Sequence, residues 1–198
     1  MTAGIEYADE HGLDSLTLRE LGRVMGTSAT AVYRYFPDKE SLYSAMRDTL
    51  LGEAVTGVDQ EGDPRSVLIG LAQGYRDQAR AHPCLGPLMI LAKLQGPAAN
   101  AVPILVGGAL LRFGIPEARL PLAYRQLESF VVGTTVFDFS GAPHHLSDRR
   151  RRLTAASELG FHTVFDSEAA VDAINEEAFT ATLEALLDAL AVQQEPRD

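Results

Sequence analysis

Thr17-Leu18-Arg19-Glu20-Leu21-Gly22-Arg23-Val24-Met25-Gly26-Thr27-Ser28-Ala29-Thr30-Ala31-Val32-Tyr33-Arg34-Tyr35-Phe36 is the stretch whose reading decides the fold. It opens as a helix start. Thr17 can accept from the backbone N–H of Glu20, and the Glu20 carboxylate can reach back to the N–H of Thr17. Leu16 and Leu21 stand at the flanking staple positions. Leu18, Leu21, Val24 and Met25 then form one apolar stripe, and Gly26 supplies the positive φ that ends the helix. After the turn at Thr27-Ser28, a second short helix places Val32 and Phe36 four apart on its inner face. Thr27, Ala29, Thr30, Tyr33 and Arg34 face solvent. Pro37-Asp38 closes this helix and caps another, from Lys39 to about Leu51, packed through Leu42, Met46 and Leu50.

Two short helices about a glycine-containing turn fit a helix-turn-helix, whose second helix enters the DNA major groove. The exposed side chains suit that use. Ala29 and Thr30 are small enough for close approach and can touch thymine methyls, and Arg34 can pair with guanine or phosphate. Tyr33, Tyr35 and Lys39 can contact phosphates and set the register. The same spacing also fits an ordinary αα-hairpin with a small, polar outer face.

Outward from this stretch the chain stays helical, and the sequence predicts an all-α fold. The first break is Gly52 to Asp63. Asp63-Pro64 then reads as N-cap and first helical residue. The predicted division is therefore a small N-terminal unit, 1–55, and a larger helical unit, 63–194. In the larger unit a helix from Pro64 to about Ala81 carries Val67, Leu68, Leu71, Ala72 and Tyr75, and His82-Pro83 stops it. A short helix runs to about Leu94, and another through Pro103-Ile104-Leu105 to Phe113. A long one covers Pro116 to Phe139, its regular part starting nearer Leu120 because Pro121 opposes an earlier start. Residues 140–166 read as a connection, and the last helix covers Glu168 to Val192.

Composition narrows the function classes. The 198 residues are 46% hydrophobic, as expected of a packed chain rather than a disordered one. The formal net charge is −10, yet Thr17 to Arg47 holds five Lys or Arg against three Asp or Glu, so the acidity lies outside the candidate reader. No apolar run is long enough to span a bilayer, and Met1 to Glu6 lacks a basic signal-peptide start, so a cytoplasmic protein is expected. Cys84 is the only cysteine, which leaves no intrachain disulfide. His144-His145 cannot share a helix face as paired metal ligands, and Arg149 to Arg152 reads as a solvated face. Neither a nucleophile elbow nor a phosphate-binding glycine loop is present; the expectation is a non-enzyme with no cofactor and no metal.

Thr17 to Leu21 followed by Met25 to Leu42, with its Val32-Tyr33-Arg34-Tyr35-Phe36 and Lys39-Glu40-Ser41-Leu42 runs, resembles the N-terminal domain of the tetracycline-repressor (TetR) family. The resemblance implies a three-helix helix-turn-helix DNA-binding domain followed by a helical ligand-binding and dimerisation domain. It also implies a homodimer that represses transcription and leaves double-stranded operator DNA when a small-molecule effector binds. By position, Thr17 and Arg19 would meet the DNA backbone. Thr27, Ser28, Ala29, Thr30 and Ala31 would face the bases, and Tyr33, Tyr35 and Lys39 the phosphates. The implied effector pocket lies between the middle helices, with Tyr75, Met89, Leu105, Tyr124, Leu127 and Val131 as candidate walls and Arg76, Arg112, Glu128 and His162 as polar groups able to tune it. The implied dimer forms from the last two long helices, with Phe130, Gly133 and Phe137 on one and Leu183, Leu187 and Leu190 on the other. Ala31 stands where many members carry threonine, and no basic arm precedes the first helix, so fewer phosphate contacts are expected.

Overall fold

The computed structural model describes residues 1–139 and 168–192. They form nine α-helices and two 3₁₀ turns, with no strand among the described residues. The helices are α1 (Thr2–His11), α2 (Leu18–Val24), α3 (Ala29–Tyr33), α4 (Lys39–Ala54), α5 (Pro64–Ala81), α6 (Leu85–Leu91), α7 (Pro97–Arg112), α8 (Leu120–Phe139) and α9 (Glu168–Val192). The 3₁₀ turns, Leu13–Ser15 and Glu117–Arg119, precede α2 and α8. The connection at 140–166, with His144, His145, Arg149 to Arg152 and His162, lies outside the described residues, as do the side-chain surroundings of Phe137.

Capping explains the two helices that organise the rest. Asp38 accepts from Ser41 N at 2.7 Å while the Ser41 hydroxyl returns to the backbone of Asp38, a complete capping box at the head of α4. Asp63 accepts from Ser66 N at 2.9 Å with Pro64 in the first turn, so α5 begins at the residue the sequence predicts. These hydrogen bonds hold both carboxyls below the usual carboxylate range.

Tertiary contacts correct the predicted start of α7. The helix begins six residues before Pro103 and carries that proline in its interior. Asp48 of α4 supplies the reason: its Oδ1 accepts from Ala99 N at 2.8 Å, satisfying one orphan donor of the first turn. A carboxylate 51 positions away does the work of a local cap.

One hydrophobic cluster runs from Ile5 through α4, α5 and α8 to Leu190. α9 joins it through Phe179, Leu183, Leu187 and Leu190, all nearly sequestered from solvent. Polar links reinforce that seam. Arg76, 1% exposed, lies over the Phe179 ring at 4.4 Å and meets Glu176 at 3.3 Å, Arg80 meets the same carboxylate, and Arg65 meets Asp188 at 2.7 Å. The α4–α5 loop is held by Arg112, which donates to the carbonyls of Gly62 and Gln60.

The closest approach in this frame is α5 on α4. A Cβ at Gly74 would lie 2.0 Å from the carbonyl oxygen of Ala54, a backbone atom that cannot swing away. Gly74→Ala should therefore lose about 1–3 kcal/mol in urea unfolding. Gly108→Ala, in open space on α7, should gain about 0.5–1 kcal/mol from helix propensity. Equal stability of Gly74→Ala and the unsubstituted protein would contradict the assigned contact.

Candidate nucleic-acid interface and effector cavity

The reader is built from α2, α3 and the head of α4. Thr17 Oγ1 accepts from Glu20 N at 3.0 Å, as the sequence predicts. The reciprocal half of that capping box is replaced. The Glu20 carboxylate takes Arg23 Nε at 2.8 Å and Nη2 at 2.5 Å instead, and this pairing holds Glu20 below the usual carboxylate range. A charged guanidinium one turn along is the stronger donor.

The turn closes with Thr27 N donating to Gly22 O at 2.8 Å and Gly26 at φ +64°. Gly22, not singled out in the sequence, decides how near α3 lies. A Cβ there would stand 3.2 Å from Thr27 O and 3.3 Å from Ala29 N. Val24 and Met25 depart from the expected buried stripe, being 38% and 55% exposed. α2 ends at Val24 and the chain turns at Gly26, so only Leu18 and Leu21 point inward.

α3 presents its outer face as expected. Ser28 caps it, its hydroxyl accepting from Ala31 N at 3.2 Å, and Val32 is buried while Phe36 packs on the core edge. Thr27, Ser28, Thr30, Tyr33, Arg34 and Tyr35 are exposed, and Ala29 and Ala31 are half-buried. Thr17 and Arg19 are exposed on the neighbouring helix start. Lys39 is engaged already: its ammonium donates to Asp14 O at 3.2 Å and lies 5.2 Å from the Tyr43 ring centre. Tyr43, which the sequence reading passed over, donates to Leu13 O at 2.6 Å and pins the first 3₁₀ turn to α4.

Behind the candidate reader lies a cavity of about 110 Å³, open at its mouth and walled by α4, α5, α6, α7 and α8. Tyr75, Met89, Tyr124, Leu127 and Val131 line it, as the sequence places them. Leu105 does not; it packs on the core, and Val102, Pro103 and Val106 form the α7 wall in its place. Of the polar groups expected there, only Glu128 lines the cavity. Arg76 is committed to α9 and Arg112 to the α4–α5 loop. Arg47 of α4 lines it too, 5% exposed, and was missed because its helical position reads as one more surface charge.

The residues expected at a dimer seam divide. Leu183, Leu187 and Leu190 are at most 2% exposed within the single chain, so they fill the protomer core and do not form an outer surface. Phe130 is half-buried and stacks on Phe179 with ring centres 5.3 Å apart. Around Gly133 a Cβ would meet nothing within 4 Å among the described residues. On α9 the exposed row is Ala178, Thr182, Ala185 and Ala189, spaced as one helix face.

Among the described residues no group of three or more His, Cys, Asp or Glu could hold a metal, and no helix is long and apolar enough to cross a membrane. Cys84 is buried and its thiol pushed up by burial, a poor setting for a nucleophile.

Comparison with known proteins meets this geometry at the reader. Residues 1–46 match the family described as bacterial regulatory proteins, tetR family. The transcriptional repressor DrrR1 of Streptomyces coeruleorubidus is 27% identical over 132 residues, covering 66% of this chain and 49% of that protein. The class A tetracycline repressor from transposon 1721 of Escherichia coli is 35% identical over 89 residues, covering 40% of this chain and 41% of that one. The chain thus spans about half the length of the curated relatives it matches. A crystal structure described as a possible TetR family transcriptional regulator from Streptomyces coelicolor A3(2) shares the fold, with a TM-score of 0.77 at 24% identity over 96% of each chain. The first 46 residues thus match the helix-turn-helix region of the tetR family of bacterial regulatory proteins, and the chain shares its helical fold with that solved structure over nearly its whole length.

Proposed function

We propose that the protein is a transcriptional repressor that binds operator DNA as a homodimer and is released by a small molecule in the α4–α8 cavity. Residues 1–55 serve as the DNA-binding unit and 63–194 as the effector and dimerisation unit. The observation that carries this reading is the outer face of α3. Its exposed Thr30, Tyr33 and Arg34 offer a hydroxyl with a methyl, a phenol and a guanidinium on a helix held close to α2 by Gly22. Thr27 to Ala31 face the bases, and Thr17, Arg19, Tyr33, Tyr35 and Lys39 face the sugar-phosphate backbone. The chain's −10 charge opposes DNA elsewhere, so binding depends on that face and on salt.

The cavity supports effector control because α4 forms part of its wall and also carries the Lys39 end of the reader. A ligand that favours one setting of α4 shifts the dimer between DNA-competent and incompetent arrangements. The dimer itself uses α8 around Phe130 and Gly133 and the exposed Ala178–Ala189 row of α9. This replaces the buried leucines.

Mobility-shift titration on the DNA upstream of its own gene tests the reading. The protein should give a specific complex, Arg34→Ala should weaken it about tenfold or more, and Arg19→Ala should lower the salt slope by about 1. No specific complex at low salt, or indifference to both substitutions, would overturn it. For the assembly, sedimentation should show a dimer at micromolar concentration and a monomer for Ala185→Glu, which places a charge on the outer row of α9. A dimer unaffected by that charge would move the interface elsewhere.

A further inference from the structure

The cavity is apolar on most of its wall, yet it holds a buried cation with no ion-pair partner among the described residues. Arg47 is 5% exposed, and its Nε meets only the thioether of Met89, at 3.3 Å. No carboxylate of the described residues lies within ion-pair distance of it. Asp48 beside it in sequence caps α7 at Ala99 N, and Glu128, which also lines the cavity, takes Arg125 Nη1 at 2.6 Å. A guanidinium cannot shed its proton to escape burial, and a buried unpaired charge is costly. A second group shares the wall. Tyr75, 7% exposed, carries its Oη beside Thr135, and burial pushes its phenol up to about 12 and keeps it protonated as a donor. Tyr124 adds a further hydroxyl to the same wall.

We infer that the effector is an amphipathic organic acid, its carboxylate seated on Arg47 with the Tyr75 hydroxyl as a second donor. Its hydrocarbon body lies among Leu71, Val102, Val106 and Val131. This inference rests on the proposed repressor and names the chemical class its cavity takes. The fit is chemical on each count. A carboxylate supplies the acceptor that the planar guanidinium lacks, two donors suit its two oxygens, and apart from Tyr124 and Glu128 the remaining wall offers apolar contact. Neutral molecules leave Arg47 unpaired, and cations meet it as a like charge. Because Arg47 sits on α4, between Tyr43 and Asp48, the acid would grip the helix that carries the reader.

Calorimetric titration of the full chain, without DNA, tests the ligand class. The probes are decanoate and 2-naphthoate, each beside its alcohol, decan-1-ol and 2-naphthylmethanol, with decylamine as the cation. At least one acid should bind about tenfold or more tightly than its alcohol, and decylamine should bind more weakly than both. Arg47→Met, an apolar replacement of similar length, should abolish the preference for acid while still taking up the alcohol. Alcohol uptake and an unchanged helical circular-dichroism spectrum show that this variant is folded; Arg47→Lys, which keeps the charge, should retain part of the preference and covers the case in which it is not. Equal binding of acid and alcohol, tighter binding of decylamine, no binding of either acid at millimolar concentration, or an acid preference that survives Arg47→Met would each overturn the inference. The repressor reading fails separately, in the mobility shift. An acid that binds through Arg47 but leaves the DNA complex intact removes effector release and keeps the ligand chemistry. DNA binding with no acid preference does the reverse.

Discussion

Everything in this molecule depends on α4 being shared. A sixteen-residue helix meets the reader at one end and the cavity along its middle. Its first turn is fixed by the Asp38–Ser41 capping box, and Lys39 and Tyr43 clamp the backbone of Asp14 and Leu13. Arg47 then enters the cavity wall, Asp48 caps α7, and the Ala54 carbonyl receives the bare backbone of Gly74. Few of these contacts can be made if α4 tilts, so a small change at the cavity is transmitted as a change of helix setting. Close-packed interiors respond in discrete steps rather than by gradual deformation. Two further ties cross beside it: Asp9 of α1 meets His82 at 2.7 Å and Cys84 N at 2.9 Å, and Lys93 meets Glu40 at 2.8 Å.

The two buried arginines show how differently the same residue can be used. Arg76 is stacked on Phe179 and paired with Glu176, and it locks α5 to α9. Arg47 is comparably buried but meets only a thioether. The first cation is satisfied inside the protein, and its charge is structural. The second is left for a molecule from outside, in a wall that is otherwise mostly hydrocarbon.

Local chemistry was legible in the sequence, and non-local chemistry was not. Asp63-Pro64, Gly26 and the Phe179–Leu190 spacing each carry their own instruction within a few residues, so α5, the turn and the inward face of α9 could be read directly. The start of α7 could not, because its partner Asp48 lies on another helix. Leu183, Leu187 and Leu190 have the pattern of any apolar stripe, and periodicity says that they are covered without saying by what; here their own chain covers them. Glu20 offered two partners at helical spacing, and the charged one prevailed. Arg47 was hidden for the opposite reason: nothing in a charged residue's spacing tells whether it faces water or a cavity. The cavity-lining residues that were named in advance came from the family resemblance and not from spacing: five of the six line the cavity, and Leu105 does not.

Hydrogen exchange of the full chain, with and without the DNA upstream of its gene, bears most directly on the coupling through α4. On the proposed reading DNA touches only the reader, so protection confined to residues 17–39 would mean that α4 merely supports α3, and would contradict a coupling through α4. With that coupling, DNA should also slow exchange farther along α4, at Tyr43 to Asp48, and at the Ala99 amide that Asp48 holds.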